Sequence, residues 1–164
     1  MCIRDRLLSG LISRGVTRDV DVIGGVSAGR VVPLRPLPIE LTEAVADVAR
    51  ILDLPTDWLN AAPESVLDLG LPAGFEGRLT RRTYGALTVH LASRVDLIHL
   101  KLYAAADAWP DIGTRHHADL IDLRPDASEI EHAAMWASTH DPSPGFAVLL
   151  EETVAWVRMA LRDG

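Results

Sequence analysis

The stretch 86-ALTVHLASRVDLIHLK-101 contains the change of pattern that decides the fold class. Apolar residues alternate with other residues over 86–91, as expected for a strand with one buried face. Ser93 and Asp96 then have the spacing of a helix capping pair, and an apolar run follows as far as Ala108. A strand therefore gives way to a long helix at this point in the chain.

Upstream of this stretch the patterns are mainly those of strands. Alternation predicts strands at 17–23 and 78–84, the second joined to 86–91 as a hairpin or bulged strand around Gly85. The other predicted segments are a glycine- and proline-rich loop over 24–38, an amphipathic helix over 39–54 that ends before Pro55, and a short helix over 64–69.

Downstream of Ala108 the patterns are helical. The predicted helices span 115–123, 129–137 with Asp126 or Ser128 as its cap, and 146–161. Because strands come first and helices follow, we expect an α+β fold with the helices largely segregated. We treat residues 7–164 as a single domain, with a sheet-containing part at 7–93 and a helical part at 94–164.

The first six residues, Met1–Arg6, resemble the in-frame translation of an adapter used in sequencing libraries. Residues 1–6 are therefore set aside before the fold is interpreted. The natural sequence then resumes near Leu7, and we expect the chain to be an N-terminally truncated product. The alternative is a genuine N-terminus.

Length and composition limit the class of protein. A chain of 164 residues can form one domain with a substantial core. Its formal net charge of −7 argues against sequence-independent coating of nucleic acid, although not against one local basic site. No apolar run approaches the roughly 18–20 residues that span a bilayer, so we expect a cytoplasmic protein with no membrane partner. The single cysteine excludes an internal disulfide framework.

Two aspartates form the first element that could carry chemistry. Asp19 and Asp21 lie two residues apart in a predicted strand, so their side chains project from the same face. Neighbouring carboxylates repel unless a cation lies between them, and their hard oxygen atoms suit Mg²⁺ bound to substrate phosphates. The alternative for so short a motif is a solvated strand face or a turn.

The second element is Lys101, the only lysine among sixteen basic residues. Its neighbours on the predicted helix are apolar, so its ammonium group must reach water or meet an anion. A phosphate could be that anion; the alternative is a lysine that snorkels to solvent. Asp96 is open to two interpretations as well, because it could complete the helix cap with Ser93 or supply a third acidic group.

The third element is the segment 115-RHHADLID-122. Arg115, Asp119 and Asp122 share one helix face, which an exposed Arg115–Asp119 pair would also explain. The adjacent histidines at 116 and 117 have no spaced ligand partner, so we do not expect a zinc site. A separate basic cluster on the predicted hairpin is a solvated strand face or a contact to a phosphate-bearing substrate; it consists of Arg78, Arg81 and Arg82.

Taken together, these elements resemble the AbiEii-type nucleotidyltransferase-fold proteins of bacteria. The resemblance covers about Gly10 to Asp141, and it depends on the order and spacing of motifs that are individually short. The motifs are Arg14 with 17-TRDVDV-22, then 55-PTDWLN-60, then 94-RVD-96 followed by Lys101, and finally 115-RHHADLIDL-123.

The resemblance implies a small mixed sheet flanked by helices, with Asp19 and Asp21 at a strand edge. It implies that these two aspartates hold magnesium bound to a nucleoside triphosphate, with Asp96 as a further carboxylate. Lys101 would contact a phosphate and Asp119 would assist as a carboxylate or orient the lysine. Arg18 and Arg115 are the other residues expected to bind the nucleotide. Metal and cation would neutralise charge on the transferred phosphorus.

One feature departs from the family pattern. The fold normally has a G-G or G-S turn ahead of the D-x-D motif, whereas Gly24-Gly25 follows it. We therefore expect this chain to bind nucleotide weakly. The leading hypothesis is transfer of a nucleoside monophosphate to a hydroxyl of RNA or protein, as a toxin neutralised by an antitoxin partner. The alternatives are a non-catalytic interaction protein with the same fold, and an acidic α+β domain with no site.

Overall fold

The computed structural model describes residues 20–61, 66–112 and 114–162. They form a mixed α+β structure that divides into two compact units between Ala92 and Ser93. The elements of the first unit are β1 Val20–Asp21, β2 Gly25–Ser27, β3 Arg30–Val32, α1 Ile39–Leu52, β4 Leu59–Asn60, α2 Val66–Leu69, a 3-10 turn at Glu76–Arg78, β5 Thr80–Tyr84 and β6 Leu87–Leu91. Those of the second are α3 Arg94–Asp107, α4 Arg115–Leu123, α5 Ala127–His140 and α6 Pro144–Ala160.

The α+β class predicted from the sequence is confirmed, but the described strands do not join into one mixed sheet. They form three two-stranded pairs. β1 and β4 are parallel, whereas β2–β3 and β5–β6 are antiparallel. The antiparallel pairs are local hairpins, whose register is set by the turn between their strands. Only β1–β4 joins segments that are distant in sequence.

The β2–β3 hairpin replaces part of the loop predicted over 24–38. Its turn residues, Ala28 and Gly29, have φ values of 49° and 77°. Two consecutive residues with positive φ give the tight turn that matches the twist of a hairpin. The sequence prediction was wrong here because the strands have only three residues each and because alanine does not signal a left-handed position.

Helix α1 confirms the amphipathic helix predicted over 39–54 and ends slightly earlier, at Leu52. Asp53 adopts a left-handed conformation and donates its backbone N–H to the carbonyl of Ala49, which completes the last turn. Val45 lies on the buried face, and its carbonyl accepts a hydrogen bond of 2.9 Å from the indole of Trp58. This hydrogen bond connects α1 to the segment that precedes β4.

The second unit consists of four helices, in which α3 packs against each of the other three. Ser93 and Asp96 form the predicted capping box at the start of α3. Asp126 and Glu129 form another at the start of α5, so that this helix begins at Ala127 rather than at 129. The core between the helices includes Leu97, Ile98, Leu102, Leu120 and Val157. No helix in the described ranges is both long and apolar enough to cross a membrane.

Gly24 provides a test of the packing around β1 and β3. A Cβ atom at this position would lie 2.5 Å from the carbonyl oxygen of Val32, a distance that real Cβ atoms do not show. We expect Gly24→Ala to lower the free energy of unfolding by about 1–3 kcal/mol, measured by urea denaturation, because backbone must move. The matched control is Gly77→Ala, where a Cβ would meet no atom within 4 Å. Equal stability of the two variants would contradict this packing.

Candidate functional site

The candidate site in the first unit is built where β1 meets β4. The parallel register places Val20 opposite Leu59 and Asp21 opposite Asn60. Asn60 Nδ2 donates a hydrogen bond of 3.0 Å to Asp21 Oδ1. Two of the sequence motifs, 17–22 and 55–60, are therefore joined through one carboxylate and one amide. The amide fixes the direction of the Asp21 carboxylate, and both side chains are half-buried.

Asp21 also lies on the wall of a cavity of about 210 Å³ within the first unit. Most of the lining is apolar, with contributions from β1, β2, β6 and Phe75. The polar side chains of the lining are Asp21, Thr88 and His90. A mainly apolar wall with a few polar groups is the usual composition of a small-molecule site, although this cavity is smaller than the roughly 300–1,000 Å³ that drug-sized ligands occupy.

Asp21 is the carboxylate of the predicted magnesium site that the structure describes. Its oxygen atoms are of the hard type that Mg²⁺ prefers in proteins. The partner aspartate, Asp19, and the predicted nucleotide-binding Arg18 lie outside the described residues. Among the residues that the structure describes, no three side chains of His, Cys, Asp or Glu cluster as a metal site would require.

The predicted third metal ligand, Asp96, serves as a helix cap. Its Oδ2 atom accepts hydrogen bonds from the backbone N–H and the hydroxyl of Ser93, and the side chain is fully buried. Of the two interpretations that the sequence left open, the capping box is the one observed; a role in metal binding stays a prediction.

Gly24, which follows β1, packs against the carbonyl of Val32.

Lys101 forms a buried ion pair with Asp119 in the second unit. The Nζ atom lies 2.9 Å from Asp119 Oδ2, and the two side chains are 7% and 0% exposed. Helix α3 brings the ammonium group into the core among apolar neighbours, and α4 supplies the compensating carboxylate. The lysine therefore meets an anion instead of snorkelling to water.

The burial of Asp119 also corrects one interpretation of α4. An exposed Arg115–Asp119 pair was one explanation for the spacing, but Asp119 is fully buried while Arg115 is exposed. The reason is that α4 turns Asp119 toward α3, together with Leu120 and Leu123. Asp119 forms its ion pair with Lys101, and an orienting role in catalysis stays a prediction. Contact of Arg115 with a nucleotide stays a prediction.

Arg94 is a residue whose role the sequence reasoning did not identify. Its Nε and Nη2 atoms donate to the carbonyls of Leu123 and Arg124, at 2.9 and 2.7 Å. The same guanidinium forms a bidentate ion pair with the carboxylate of Glu129. It therefore joins the start of α3 to the end of α4 and the start of α5. This hydrogen bonding lowers the pKa of Glu129 below its usual value.

Of the two adjacent histidines of α4, His117 lies in the core of the helical unit. His117 is buried, its Nδ1 atom lies 2.7 Å from the hydroxyl of Thr114, and its ring packs edge-on against Trp156. Burial lowers the pKa of His117, because the charged imidazolium would lose its hydration. His117 therefore serves as a core residue of the helical unit.

Comparison of the chain with protein families, with curated proteins and with solved structures finds no match. The chemistry of this protein is therefore inferred from two groups of residues. One is the Asp21–Asn60 contact beside the cavity of the first unit. The other is the Lys101–Asp119 ion pair in the core of the second.

The ion pair predicts a specific pattern of stability changes. Lys101→Met should lower the free energy of unfolding by about 3–5 kcal/mol, because it leaves the Asp119 carboxylate buried without its ammonium. Adding Asp119→Leu should restore most of that loss, since two apolar side chains replace two charges. Urea denaturation with circular dichroism measures both effects. The control is Arg158→Met, which removes an exposed pair with Glu131 and should cost about 0–1 kcal/mol. A double variant no more stable than Lys101→Met would contradict the account.

The Arg94–Glu129 contact predicts a dependence of stability on pH. Since Glu129 has a pKa below its usual 4.5 in the folded protein, its stabilising contribution is complete above pH 4.5 and is lost as the pH falls through the lowered value. Glu129→Gln should therefore reduce the loss of stability on acidification below pH 4.5. Urea denaturation at a series of pH values tests this, with the exposed Glu151→Gln as control. Identical acid profiles for wild type and Glu129→Gln would refute it.

Proposed function

We propose that this chain is a magnesium-dependent nucleotidyltransferase, which moves a nucleoside monophosphate from a nucleoside triphosphate to a hydroxyl group of RNA or protein. The observation that carries the proposal is the contact between Asp21 and Asn60. It unites two segments of the nucleotidyltransferase-like pattern, and it holds a carboxylate beside a cavity in a fixed direction. A single carboxylate that is oriented in this way is suited to binding a cation that accompanies phosphates.

The reaction is a displacement at the α-phosphorus of the triphosphate. The acceptor oxygen forms a bond to that phosphorus, the bond to the bridging oxygen breaks, and pyrophosphate leaves with the electron pair. The hydroxyl proton passes to a base or to water. The carboxylates of Asp19 and Asp21 would hold Mg²⁺, whose charge offsets that of the triphosphate. The protein contributes position and electrostatic stabilisation.

The roles proposed for the basic residues follow from the positive charge of their side chains. Arg18, which precedes Asp19 in the sequence, would face the phosphates, because a cation stabilises the charge that develops on the leaving group. In the helical unit, Asp119 lies 2.9 Å from the Lys101 ammonium. Contact of Lys101 or Arg115 with a phosphate stays a prediction from the sequence. The protein would act in the cytoplasm, where triphosphates are available, as a toxin controlled by an antitoxin.

A second candidate is a non-catalytic interaction protein with the same architecture. The observation that favours it is the burial of Lys101, whose charge is already balanced by Asp119 within the helical unit. A lysine that is 7% exposed and paired can serve the fold alone. In that case the protein would bind a partner and would not transfer nucleotides.

The experiment that tests transfer uses each nucleoside triphosphate labelled at the α-phosphate, at millimolar concentration with Mg²⁺. Bacterial RNA and protein are offered as acceptors. We expect label to enter one acceptor and expect Asp21→Asn to lower the rate by about 100-fold or more, because one metal-binding oxygen becomes an amide. Removal of Mg²⁺ with a chelator should have a similar effect. The millimolar concentration compensates for the weak nucleotide binding that we expect.

The matched control is Asp47→Asn, which makes the same chemical change at an exposed carboxylate on α1. It should leave the rate unchanged. Transfer that survives Asp21→Asn would contradict the assignment of the site. The absence of transfer to any acceptor by a correctly folded wild-type protein would favour the non-catalytic interaction protein.

A further inference from the structure

The outer edge of the β5–β6 hairpin contains none of the residues assigned to the proposed nucleotide site. Four of the five residues of β5 are exposed, and the central Arg82 is half-buried. Among the described strands, this sheet contains β5 and β6 alone. One long side of β5 therefore has no neighbouring strand among the residues that the structure describes. A strand edge of this kind presents backbone donors and acceptors to another chain.

The register identifies the backbone groups that point outward. Tyr84 lies opposite Leu87 across a two-residue turn, in which Gly85 has a φ of 59°. The residues that flank such a turn exchange hydrogen bonds, and bonded and non-bonded pairs then alternate along the ladder. The N–H and C=O groups of Arg81 and Thr83 consequently point away from β6. No hydrogen bond joins these groups to another residue of the described chain.

This edge is basic in a chain that is acidic overall. Between Glu76 and Asp96 the sequence contains no acidic residue, although the formal net charge of the protein is −7. Arg81 projects from the middle of the edge, and its side chain is exposed. Arg82 follows it on the opposite face of the strand. The local charge therefore favours a partner of negative sign.

We infer that β5 is a docking edge for an extended, acidic segment of a partner protein, which adds a third strand to the hairpin. The outward donors and acceptors of Arg81 and Thr83 alternate with the spacing of a peptide backbone, which the phosphates and 2′-hydroxyls of a nucleic-acid backbone do not reproduce. The exposed Arg81 selects carboxylates on the partner strand. Tyr84, which is 51% exposed at the end of the edge, can contact an apolar residue of the same segment. The inference does not depend on nucleotidyl transfer.

A second copy of this chain is a poor occupant of the edge. Antiparallel pairing of two β5 strands about their centre would place Arg82 opposite Arg82. Like charges directly opposite each other in a sheet are destabilising. Charged edge strands prevent association between identical sheets, and the same charges attract a strand of the opposite sign. The partner is therefore a different, acidic chain.

Binding of short synthetic peptides to the full chain tests the inference. The probe is a fluorescent peptide of alternating glutamate and valine, and its counterpart has lysine in place of glutamate. By fluorescence anisotropy we expect the acidic peptide to bind at least about tenfold more tightly than the basic one. Arg81→Glu should weaken binding of the acidic peptide by about tenfold or more. Hydrogen exchange should slow at the amides of Arg81 and Thr83 when the acidic peptide is bound.

Two variants separate the strand edge from general electrostatics. Arg50→Glu reverses a charge on an exposed side chain of α1 and should leave peptide binding within about twofold of wild type. Thr83→Pro removes an outward N–H without removing a β5–β6 hydrogen bond, so it should abolish binding while circular dichroism remains unchanged. The inference is overturned if peptides of both charges bind alike, if neither binds, if amide exchange does not slow, or if an oligouridylate binds through Arg81 in preference to the peptide.

Discussion

The helical unit depends on one electrostatic constraint, which is that a buried ammonium group must have an anion beside it. Lys101 and Asp119 satisfy this constraint at 2.9 Å, with almost no exposure to water. Because the two residues come from different helices, their pairing fixes the position of α4 against α3. Arg94 makes a second connection between the helices. It donates hydrogen bonds to the carbonyls at the end of α4 and to the carboxylate of Glu129. Charged groups therefore connect α3, α4 and α5, while the apolar core supplies most of the stability.

The features that could be predicted from the sequence are those set by nearby residues. Ser93 with Asp96 and Asp126 with Glu129 determine helix starts over three residues, and both capping boxes are present. The β2–β3 hairpin was missed because its turn depends on the left-handed conformation of Ala28. The partner of Lys101 could not be identified with certainty, because Asp119 is as well placed to pair with Arg115 by helix spacing as with a distant lysine. The Asp21–Asn60 contact was missed for the same reason, since pairing between distant strands is not determined by local pattern.

The two candidate surfaces of the first unit serve different chemistry. Asp21 lies beside a small, mainly apolar cavity, where one oriented carboxylate can act on a bound ligand. The β5 edge is basic and exposed, has no neighbouring strand on its outer side among the described residues, and offers backbone groups to an extended chain. A nucleotidyltransferase that a partner protein controls would use both surfaces. An interaction protein would need the edge alone, so activity at Asp21 distinguishes the two functions.

The most direct test of nucleotide binding observes the backbone amide of Asp21, the carboxylate that lies beside the cavity of the first unit. Protein labelled with ¹⁵N gives this amide signal, and Mn²⁺ can replace Mg²⁺ as a paramagnetic probe bound to ATP. We expect Mn²⁺–ATP to broaden the signal of residue 21 and expect Asp21→Asn to remove the broadening. If the Asp21 signal remains sharp while Mn²⁺–ATP binds, or if its broadening is unaffected by Asp21→Asn, the proposed nucleotide site is wrong.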